Sequence, residues 1–406
     1  MSRLVLLTNT FPWGKGETFI DNEIKFYDMF DSVVIIAHDN DSYRRITQLS
    51  SNIHCLQLPK LRIIYKLYWF LSALFTYEFY EELRHIKGGK TLSKIYALIA
   101  FIGKGKRIAN FYLKKVDCDK EEPTVFYSYW LHHNAYAAVK LARLFKHSKT
   151  VSRCHRYDLY VEQSYLQYLP LRHFLRKNLL AIYSISIDGM EYLKRLTPDL
   201  RNENIKLARL GTPDYGFDYH SLKPGVLRIV SCSWISRVKR VHRIAEVLCL
   251  IPAEYSIIWT HIGCGEADER LNTAIKSLPP NITVDMKGAM SNQDIHTFYQ
   301  TNPQDVFINV SESEGVPVSI MEAMSHGIPV IATDVGGTKE IVENDVNGFL
   351  LPVDFKNEDL QSLLNTFLNM NEATYSLLQR GSRKVWSDKF DAASNYNDFI
   401  TELKHL

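Results

Sequence analysis

The stretch FINVSESEGVPVSIMEAMSHGIPVIATDVGGTKEIVENDVNGFLLP, residues 307–352, decides the fold of this chain. A buried strand is predicted to end at Val310, and a helix to begin near Val318 after a loop that contains glycine and proline. The backbone N–H groups at such a helix start form a ready site for an anion. Glu314 in the loop and Glu322, about one turn inside the helix, flank that site.

Carboxylates next to an anion site are unfavourable unless they bind hydroxyl groups, which sugars and ribose supply. After the next predicted strand, Gly336-Gly337-Thr338 forms a second turn at the same edge of the sheet. The pattern therefore predicts a site for a phosphorylated ligand that carries hydroxyl groups.

Short apolar runs alternate with helical patterns along the rest of the chain, which predicts two doubly wound parallel α/β sheets. The predicted strands of the first half are Leu4–Thr8, Ser32–Ala37, Thr124–Tyr129, Thr150–Arg153, Ala181–Ile187 and Ile205–Leu210. Those of the second half are Leu227–Ser233, Ser256–Ile262, Ile282–Met286, Asp305–Val310 and Pro329–Thr333, with helices at Val241–Leu250 and Val318–Met324. Ser, Pro and Gly interrupt the pattern near His220–Gly225, where we place the domain boundary.

Length and composition agree with two globular domains. The chain has 406 residues, 46% of them apolar and 23% charged, which excludes a disordered chain and a membrane-spanning one. Its six cysteines stand far apart, without metal-ligand spacing, as expected in a reducing compartment: Cys55, Cys118, Cys154, Cys232, Cys249 and Cys264. The run Leu4–Thr8 is short and lacks a cleavage site, so we expect no signal peptide and a cytoplasmic location.

Charge is distributed unevenly between the halves. Residues 1–210 hold 32 Lys and Arg against 20 Asp and Glu, and the remainder holds 16 against 25. The first half is therefore expected to face an anionic partner. Nine of its cations lie between Arg84 and Val116 without an acid: Arg84, Lys87, Lys90, Lys94, Lys104, Lys106, Arg107, Lys114 and Lys115.

An aromatic-rich helical run precedes these cations, and its uncharged part, Leu67–Tyr77, is too short to span a membrane. We expect residues 61–116 to lie on an anionic membrane surface. The alternative is a pair of core helices with a solvated basic face. Nucleic acid is not the expected partner, because no binding motif accompanies the basic run.

The segment EGVPVSIMEAM, residues 314–324, followed by GIPVIATDVGGTKEIV resembles the donor-site signature of the retaining glycosyltransferases of family 4. That family has the GT-B fold, in which two Rossmann-like domains face a central cleft. The resemblance implies an N-terminal acceptor-binding domain over residues 1–222 and a C-terminal nucleotide-sugar-binding domain over 223–383. A final helix over about 384–406 would return to the N-terminal domain.

Other C-terminal segments resemble the family in the same order. SCSWISRVKRVHRI (231–244) resembles the segment that holds the donor diphosphate, with Lys239 at the lysine position. Trp234 stands at the usual arginine and Arg240 at the usual glycine, so Arg237 is the candidate for the missing cation. Two further segments contribute Gly263 with Gly265, and the backbone of Lys287 and Gly288 near the nucleobase.

In the first half, NTFPWGKGETFIDNEI (9–24) resembles the loop whose glycine approaches the donor phosphates, which makes Gly16 and Gly14 candidates. SRCHRYDLY (152–160) resembles the family's strand-end histidine and aspartate, at His155 and Asp158. RLGTPD, with Gly211, resembles the end of the last strand of this domain.

The resemblance implies transfer of a sugar, with retention, from a nucleotide-diphosphate sugar, expected to be a UDP-sugar, to a glycan or polyprenyl-diphosphate-linked acceptor in cell-surface polysaccharide synthesis. Glu322 would bind the ribose, Glu314 the sugar, and Lys239 the diphosphate, while His155 would lie beneath the anomeric carbon. The expected donor contacts also include Gly315, Val316, Pro317 and Val318. No cofactor and no metal are expected, and the enzyme would act at the inner face of the cell membrane.

Two alternatives are also compatible with the sequence. One is a catalytically silent glycosyltransferase-like subunit, which Trp234 and Arg240 at unusual positions would suit. The other is a nucleotide-sugar epimerase on the same fold, which needs no acceptor.

Overall fold

A computed structural model describes residues 2–14, 16–17, 19–39, 49–198 and 202–406. The chain divides into two compact units. Unit 1 contains the residues up to Arg209 together with Tyr396–Leu406, and unit 2 contains Leu210–Asn395.

Unit 1 is a parallel sheet with helices packed on it. Within the described residues its seven strands are β1 (Arg3–Thr8), β2 (Ser32–Ala37), β3 (Ile53–Gln57), β4 (Thr124–Ser128), β5 (Ser148–Cys154), β6 (Ala181–Ser184) and β7 (Ile205–Leu207), in the order β3-β2-β1-β4-β5-β6-β7. Its helices are α1 (Ile20–Glu23), α2 (Ile63–Ala73), α3 (Tyr77–Leu83), α4 (Thr91–Lys115), α5 (His133–Ala142), α6 (Arg156–Leu159), α7 (Arg172–Asn178) and α8 (Ile187–Leu196).

Unit 2 repeats this arrangement. Over its residues the six strands are β8 (Val226–Cys232), β9 (Ser256–Ile262), β10 (Ile282–Gly288), β11 (Val306–Asn309), β12 (Val330–Thr333) and β13 (Gly348–Leu351), in the order β10-β9-β8-β11-β12-β13. The helices are α9 (His242–Leu248), α10 (Glu269–Lys276), α11 (Asn292–Thr301), α12 (Val318–Ser325), α13 (Asn357–Leu368) and α14 (Glu372–Lys389), and α15 (Ala392–Lys404) follows. The predicted pair of parallel doubly wound sheets is confirmed.

Each sheet reverses its strand order once, between β1 and β4 in unit 1 and between β8 and β11 in unit 2. All the strand pairs of both sheets are parallel, so within a sheet the loops after these strands emerge at one edge. Ligands of open α/β sheets bind beyond the carboxyl ends of the strands at such a reversal. This topology indicates two candidate positions for a ligand site, one at the strand-order reversal of each sheet.

The division into units differs from the predicted boundary at residue 222. Residues 210–222 pack on unit 2: the His220 ring lies 3.2 Å from the Asp305 carboxylate, and the Phe217 ring fills the space above Gly327. The predicted single helix over 384–406 is also interrupted, because α14 ends at Lys389 and α15 begins at Ala392. The backbone between them pairs with Thr212, and the Asp391 carboxylate accepts the N–H of Ser394.

Residues 61–116 contain three helices, α2, α3 and α4, and no strand. Helix α4 is part of the core of unit 1, since Leu98, Ile102, Ile108 and Tyr112 are buried. Helix α2 packs on α4 so closely that a Cβ at Gly103 would lie 2.7 Å from the Trp69 carbonyl oxygen. Within the described residues no helix is long and apolar enough to cross a membrane.

Candidate functional site

An ion pair spans the strand-order reversal of unit 2. Lys239 lies in the loop after β8 and Glu314 in the loop after β11, and Lys239 Nζ is 2.5 Å from Glu314 Oε1. Asn309, at the end of β11, donates to the same oxygen at 3.3 Å. The N–H of Glu312 donates to the Val238 carbonyl oxygen at 2.8 Å, which joins the two loops. Two of the predicted site residues are thus brought together by the topology.

Glu322 lies in α12, with its carboxylate buried. Asn292, at the start of α11, donates to Glu322 Oε1 at 2.8 Å. Burial raises the pKa of Glu322 to about 7. Burial also raises the pKa of the Cys232 thiol to about 12, with a further increase from the charge of Glu322 and a decrease from that of Lys239. Cys232, at the end of β8, therefore lies within electrostatic reach of both predicted donor-binding groups.

The second glycine turn supports the Glu314 loop directly. Gly336 has φ +53°, and a Cβ there would lie 2.0 Å from the Glu314 carbonyl oxygen. The N–H of Gly337 donates to the Gly315 carbonyl oxygen at 2.7 Å. Val316 is buried, and Pro317 precedes the first turn of α12. Side chains larger than glycine at 336 or 337 would displace the loop that carries Glu314.

Arg240 occupies a backbone conformation that favours glycine. Its φ is +49°, in the left-handed region, which matches the glycine expected there from the family resemblance. The guanidinium is buried and donates through Nε to the Val310 carbonyl oxygen at 2.7 Å and through Nη1 to that of Val353 at 2.8 Å. The arginine thus stabilises the carboxyl end of β11. Its presence in place of the expected glycine does not disrupt the contact between Lys239 and Glu314.

Trp234, the other unusual residue of this segment, and the candidate cation Arg237 are at the surface. Trp234 is 58% exposed. Arg237 is also exposed and lines a pocket of about 400 Å³ with Glu266 and Asp268. The role of Arg237 toward a diphosphate stays a prediction.

Glycines bring the ends of β8, β9 and β10 together. A Cβ at Gly263 would lie 1.9 Å from the Ser233 carbonyl oxygen, and one at Gly265 would lie 2.0 Å from that of Ile235. The N–H of Gly263 donates to the carbonyl oxygen of Gly288 at 2.8 Å. A Cβ at Gly288 would meet no atom within 4 Å, and the neighbouring Lys287 pairs with Asp285 at 2.6 Å.

In unit 1 a buried carboxylate organises the loop after β1. Glu17 accepts the backbone N–H groups of Asn9, Thr10 and Phe11 at 2.7 to 2.8 Å. The indole N–H of Trp130, in the loop after β4, donates to the same carboxylate at 2.5 Å. Gly14 has φ +70°. Gly16 is exposed, and a Cβ there would make an ordinary van der Waals contact. Steric crowding therefore does not explain why residue 16 is a glycine.

The histidine and the aspartate predicted at the end of β5 have different structural roles. The Asp158 carboxylate accepts the N–H of His155 at 2.6 Å and that of Leu131 at 2.5 Å, so it joins the loops after β4 and β5. The His155 ring packs against Trp130 and Tyr129, with centroids 4.5 and 4.9 Å away. Gly211, the remaining candidate, packs against the backbone of Ala392, which a Cβ would approach to 2.6 Å.

Four residues that complete these sites were not predicted from the sequence: Asn292, Asn309, Glu17 and Trp130. Asn309 was detectable as a polar side chain that ends an apolar strand. Glu17 was detectable as an acid directly after a glycine pair in a loop that follows a strand. Asn292 carried no local signal, because its contact with Glu322 depends on how α11 packs.

Comparison with known proteins supports the architecture. Residues 220–384 match the family model of the glycosyl transferases group 1. The chain is 29% identical over 206 residues to the putative colanic acid biosynthesis glycosyltransferase WcaL of Salmonella typhimurium, covering 48% of this chain and 49% of WcaL. It is 27% identical over 180 residues to the amylovoran biosynthesis glycosyltransferase AmsK of Erwinia amylovora, covering 42% of each. The matched segments thus span less than half the length of these relatives.

The crystal structure of Anabaena Alr3699/HepE in complex with UDP and glucose aligns with a TM-score of 0.64, covering 99% of both chains at 15% identity. At that identity the likeness shows the fold alone. The protein therefore has the GT-B fold, and its residues 220–384 are similar to the glycosyl transferases group 1 family.

Proposed function

We propose that this protein is a glycosyltransferase that takes a sugar from a nucleotide-diphosphate sugar and transfers it to a glycan in polysaccharide synthesis. The observation that carries the proposal is the Lys239–Glu314 pair at the strand-order reversal of unit 2, with buried Glu322 in the following helix. A cation for phosphate and two carboxylates for hydroxyl groups are the groups that a nucleotide sugar requires. The names of WcaL and AmsK agree with polysaccharide synthesis.

The three side chains would divide the donor between them. Glu322 would accept the ribose hydroxyls, and Glu314 would accept hydroxyls of the transferred sugar. Lys239 and the first N–H groups of α12 would hold the diphosphate, on which negative charge grows as the glycosidic bond breaks. Donors placed toward developing charge stabilise the transition state more than the bound substrate.

The proposal also includes the identity of the donor nucleotide, the stereochemistry and the role of His155, which follow from the family resemblance. The donor would be a UDP-sugar, a choice supported by the UDP bound in Alr3699/HepE. Transfer would proceed with retention and without a metal ion, and the departing phosphate would take the acceptor's proton. His155 would support positive charge at the anomeric carbon.

Turnover assays with purified protein test this function. UDP release from UDP-glucose, UDP-galactose and UDP-N-acetylglucosamine is measured with and without glycan acceptors. Release by the wild type and its loss in Glu314→Ala would support a transferase. Interconversion of donors without release would indicate an epimerase, and neither activity in a protein that binds UDP would indicate a silent subunit.

We further propose that unit 1 rests on an anionic membrane surface through α2. Ile63, Ile64, Leu67 and Tyr68 of α2 are exposed, Ile63 by 83%. Phe75, just after α2, is 87% exposed. The opposite side of α2 packs on α4, so this apolar face has no partner within the described part of the chain. Lys60, Arg62 and Lys66 lie among these side chains and are exposed, which suits anionic lipid headgroups. The acceptor would then be a lipid-linked glycan at the inner face of the membrane.

Two cations of the predicted basic run are engaged within unit 1. Much of the basic run lies on α4, where Lys94 is buried and donates to the Lys87 carbonyl oxygen. Lys106 donates to the Ser72 carbonyl oxygen at 2.7 Å. Helix α4 therefore resembles the core helix of the alternative interpretation. Helix α2, in contrast, has the exposed apolar face expected of an interfacial helix.

A further inference from the structure

A cavity of about 680 Å³ lies at the amino edge of the sheet of unit 1. It is located where three neighbouring strands begin, with Lys149 of β5, Ala181 of β6 and Lys206 of β7 in its wall. Arg176 and Lys177, in the last turn of α7, line it as well. We call it the basic cavity.

The basic cavity is separate from the loops of unit 1 that carry predicted site residues. Strands β4, β5 and β6 are parallel, so the loops after them, including the one with His155, emerge at the opposite edge of the sheet. Lys149 and Cys154 stand near the two ends of β5. At the rise of an extended strand, these two residues are about 17 Å apart. A ligand of the basic cavity would therefore not contact His155.

Positive charge dominates the wall of the basic cavity. Glu203 is the one acidic side chain among its described lining residues. Lys206 pairs with Glu402, whereas Lys149 and Lys177 are exposed and form no ion pair with an acid in the described ranges. A concave wall of one charge sign raises the local concentration of counter-ions. The charges of Lys149 and Lys177 are thus available to an anion.

Hydrogen bonds fix the Arg176 side of the cavity. Arg176 is 2% exposed, and its guanidinium donates to Thr197 Oγ1 at 2.9 Å and to Asn204 Oδ1 at 2.5 Å. Asn204 donates in return to the carbonyl oxygens of Arg176 and Leu179, both at 3.2 Å, at the end of α7. This network holds a permanently charged group in the wall and fixes the helix end that carries Lys177.

This combination of groups suits a phosphate group. Lysine binds phosphate as a point charge, and the guanidinium of arginine adds positive potential. Leu180 and Ala181 supply apolar wall for the carbon skeleton that carries the phosphate. The volume also lies within the range of roughly 300–1,000 Å³ that is typical of small-molecule sites.

We propose that the basic cavity binds a phosphate group, carried by a small phosphorylated molecule or by a lipid headgroup, through the ammonium groups of Lys149 and Lys177. Lys206 and Arg176 would contribute positive potential. The inference does not rest on the proposed function, because these residues belong neither to the proposed donor site nor to the apolar face of α2.

Isothermal titration of glucose 6-phosphate into the full-length protein tests the site, with glucose as the uncharged control ligand. We expect glucose 6-phosphate to bind and glucose not to bind, with an affinity that falls as salt rises. The double variant Lys149→Ser, Lys177→Ser should bind at least tenfold more weakly. The double variant Lys25→Ser, Lys120→Ser removes two exposed lysines of unit 1 outside the cavity and is the matched control. It should bind as the wild type does.

Lys239→Ala is titrated in parallel, because phosphate would also suit the proposed donor site. Binding of glucose 6-phosphate that is lost in Lys239→Ala and retained in Lys149→Ser, Lys177→Ser would overturn the proposal. The affinity for UDP should be equal in the wild type and in Lys149→Ser, Lys177→Ser. Failure of the cavity to bind phosphate would thus leave the proposed function intact, and failure to bind UDP would leave the cavity intact.

Flotation with phosphatidylcholine vesicles, with and without phosphatidate, distinguishes the two sources of phosphate. Binding of glucose 6-phosphate that depends on Lys149 and Lys177 would assign the cavity to small phosphorylated molecules. Flotation that requires both phosphatidate and these lysines, without binding of glucose 6-phosphate, would assign it to a lipid headgroup. Absence of binding in both experiments, or equal binding by the two double variants, would overturn the proposal. Melting temperatures equal to that of the wild type verify that the variants are folded.

Discussion

The ammonium group of Lys239 lies 2.5 Å from the carboxylate of Glu314, across the point where the strand order of unit 2 reverses. This pair joins the loops after β8 and β11 and places a cation next to the start of α12. A donor diphosphate would share Lys239 with Glu314, while the carboxylate remains available to hydroxyls. The two residues are therefore expected to act together, and each can be tested separately.

Lys239→Ala is expected to lower kcat/KM by ~10²–10³, the range for loss of one donor to a developing oxyanion. The physical reason is that the ammonium would stabilise the departing diphosphate. Steady-state kinetics with the preferred donor measure the effect. Lys276→Ala, at an exposed position of α10, is the control and should retain wild-type kinetics. A kcat/KM of Lys239→Ala equal to that of the wild type would show that Lys239 does not take part in the reaction.

Glu314→Ala should mainly lower kcat, whereas Glu322→Ala should mainly weaken nucleotide binding. Glu314 would contact the sugar, whose charge changes in the transition state, while Glu322 would contact the ribose in every state. The kinetic constants and the dissociation constant for UDP distinguish the two effects. Equal turnover for wild type and Glu314→Ala would refute the assignment.

The raised pKa of Glu322 predicts a pH dependence. Its value of about 7 lies above the usual 4.5, so folding takes up a proton between these pH values, and the free energy of unfolding falls as the pH rises from about 4.5 to 7. Because the ionised form accepts ribose hydroxyls best, affinity for UDP should rise up to about tenfold from pH 6 to 8. Glu322→Gln should remove this dependence and be more stable than wild type at pH 8 by roughly 1–3 kcal/mol. Calorimetry measures the affinity for UDP and urea unfolding measures the stability, each at pH 6 and 8. A pH dependence in Glu322→Gln equal to that of the wild type would contradict the role of Glu322 in binding.

Arg240→Gly should lower the free energy of unfolding by roughly 1–3 kcal/mol, because the carbonyl oxygens of Val310 and Val353 lose a charged donor. Arg240→Ala should be less stable still, by about 1 kcal/mol, since alanine tolerates φ +49° less well than glycine. Urea unfolding of both variants gives the comparison. If Arg240→Gly is at least as stable as wild type, the buried guanidinium does not stabilise the loop.

The membrane proposal predicts that the wild type floats with vesicles that contain anionic lipid at low salt. Each of Lys60, Arg62 and Lys66 would contribute about 1 kcal/mol near such a surface, so replacing all three by Ser should weaken binding roughly a hundredfold. The double variant Ile64→Ser, Leu67→Ser should also reduce flotation, and binding should fall as salt rises. Leu377→Ser, at an exposed position of unit 2, is the control. Equal flotation of all variants would exclude α2 as the contact.

The sequence predicted much of the fold because buried parallel strands are continuous apolar runs. Strands β3 and β13 were missed for physical reasons. Ile53–Gln57 is an edge strand with little buried surface, and Gly348–Leu351 is short and begins with glycine. Both missed strands are edge strands, although the edge strands β7 and β10 were predicted.

The candidate site was predictable where it depends on local sequence. Glu314, Glu322 and the glycine turns follow from a strand-loop-helix pattern within residues 307–352. The hydrogen-bond acceptors of the Arg240 guanidinium could not be predicted, because they lie in distant parts of the chain. For the same reason, a count of cations between Arg84 and Val116 could not show that Lys94 binds the backbone carbonyl of Lys87, in the loop before α4, and that Lys106 binds that of Ser72, in α2.

Isothermal titration of UDP into the wild type and into Glu322→Ala measures donor binding separately from the acceptor and the membrane. We expect a single site per chain in the wild type, with affinity at least tenfold weaker in Glu322→Ala, and a melting temperature of the wild type that rises with UDP concentration. Absence of heat and of thermal stabilisation with UDP and with other nucleoside diphosphates, or equal affinity in the two proteins, would contradict it.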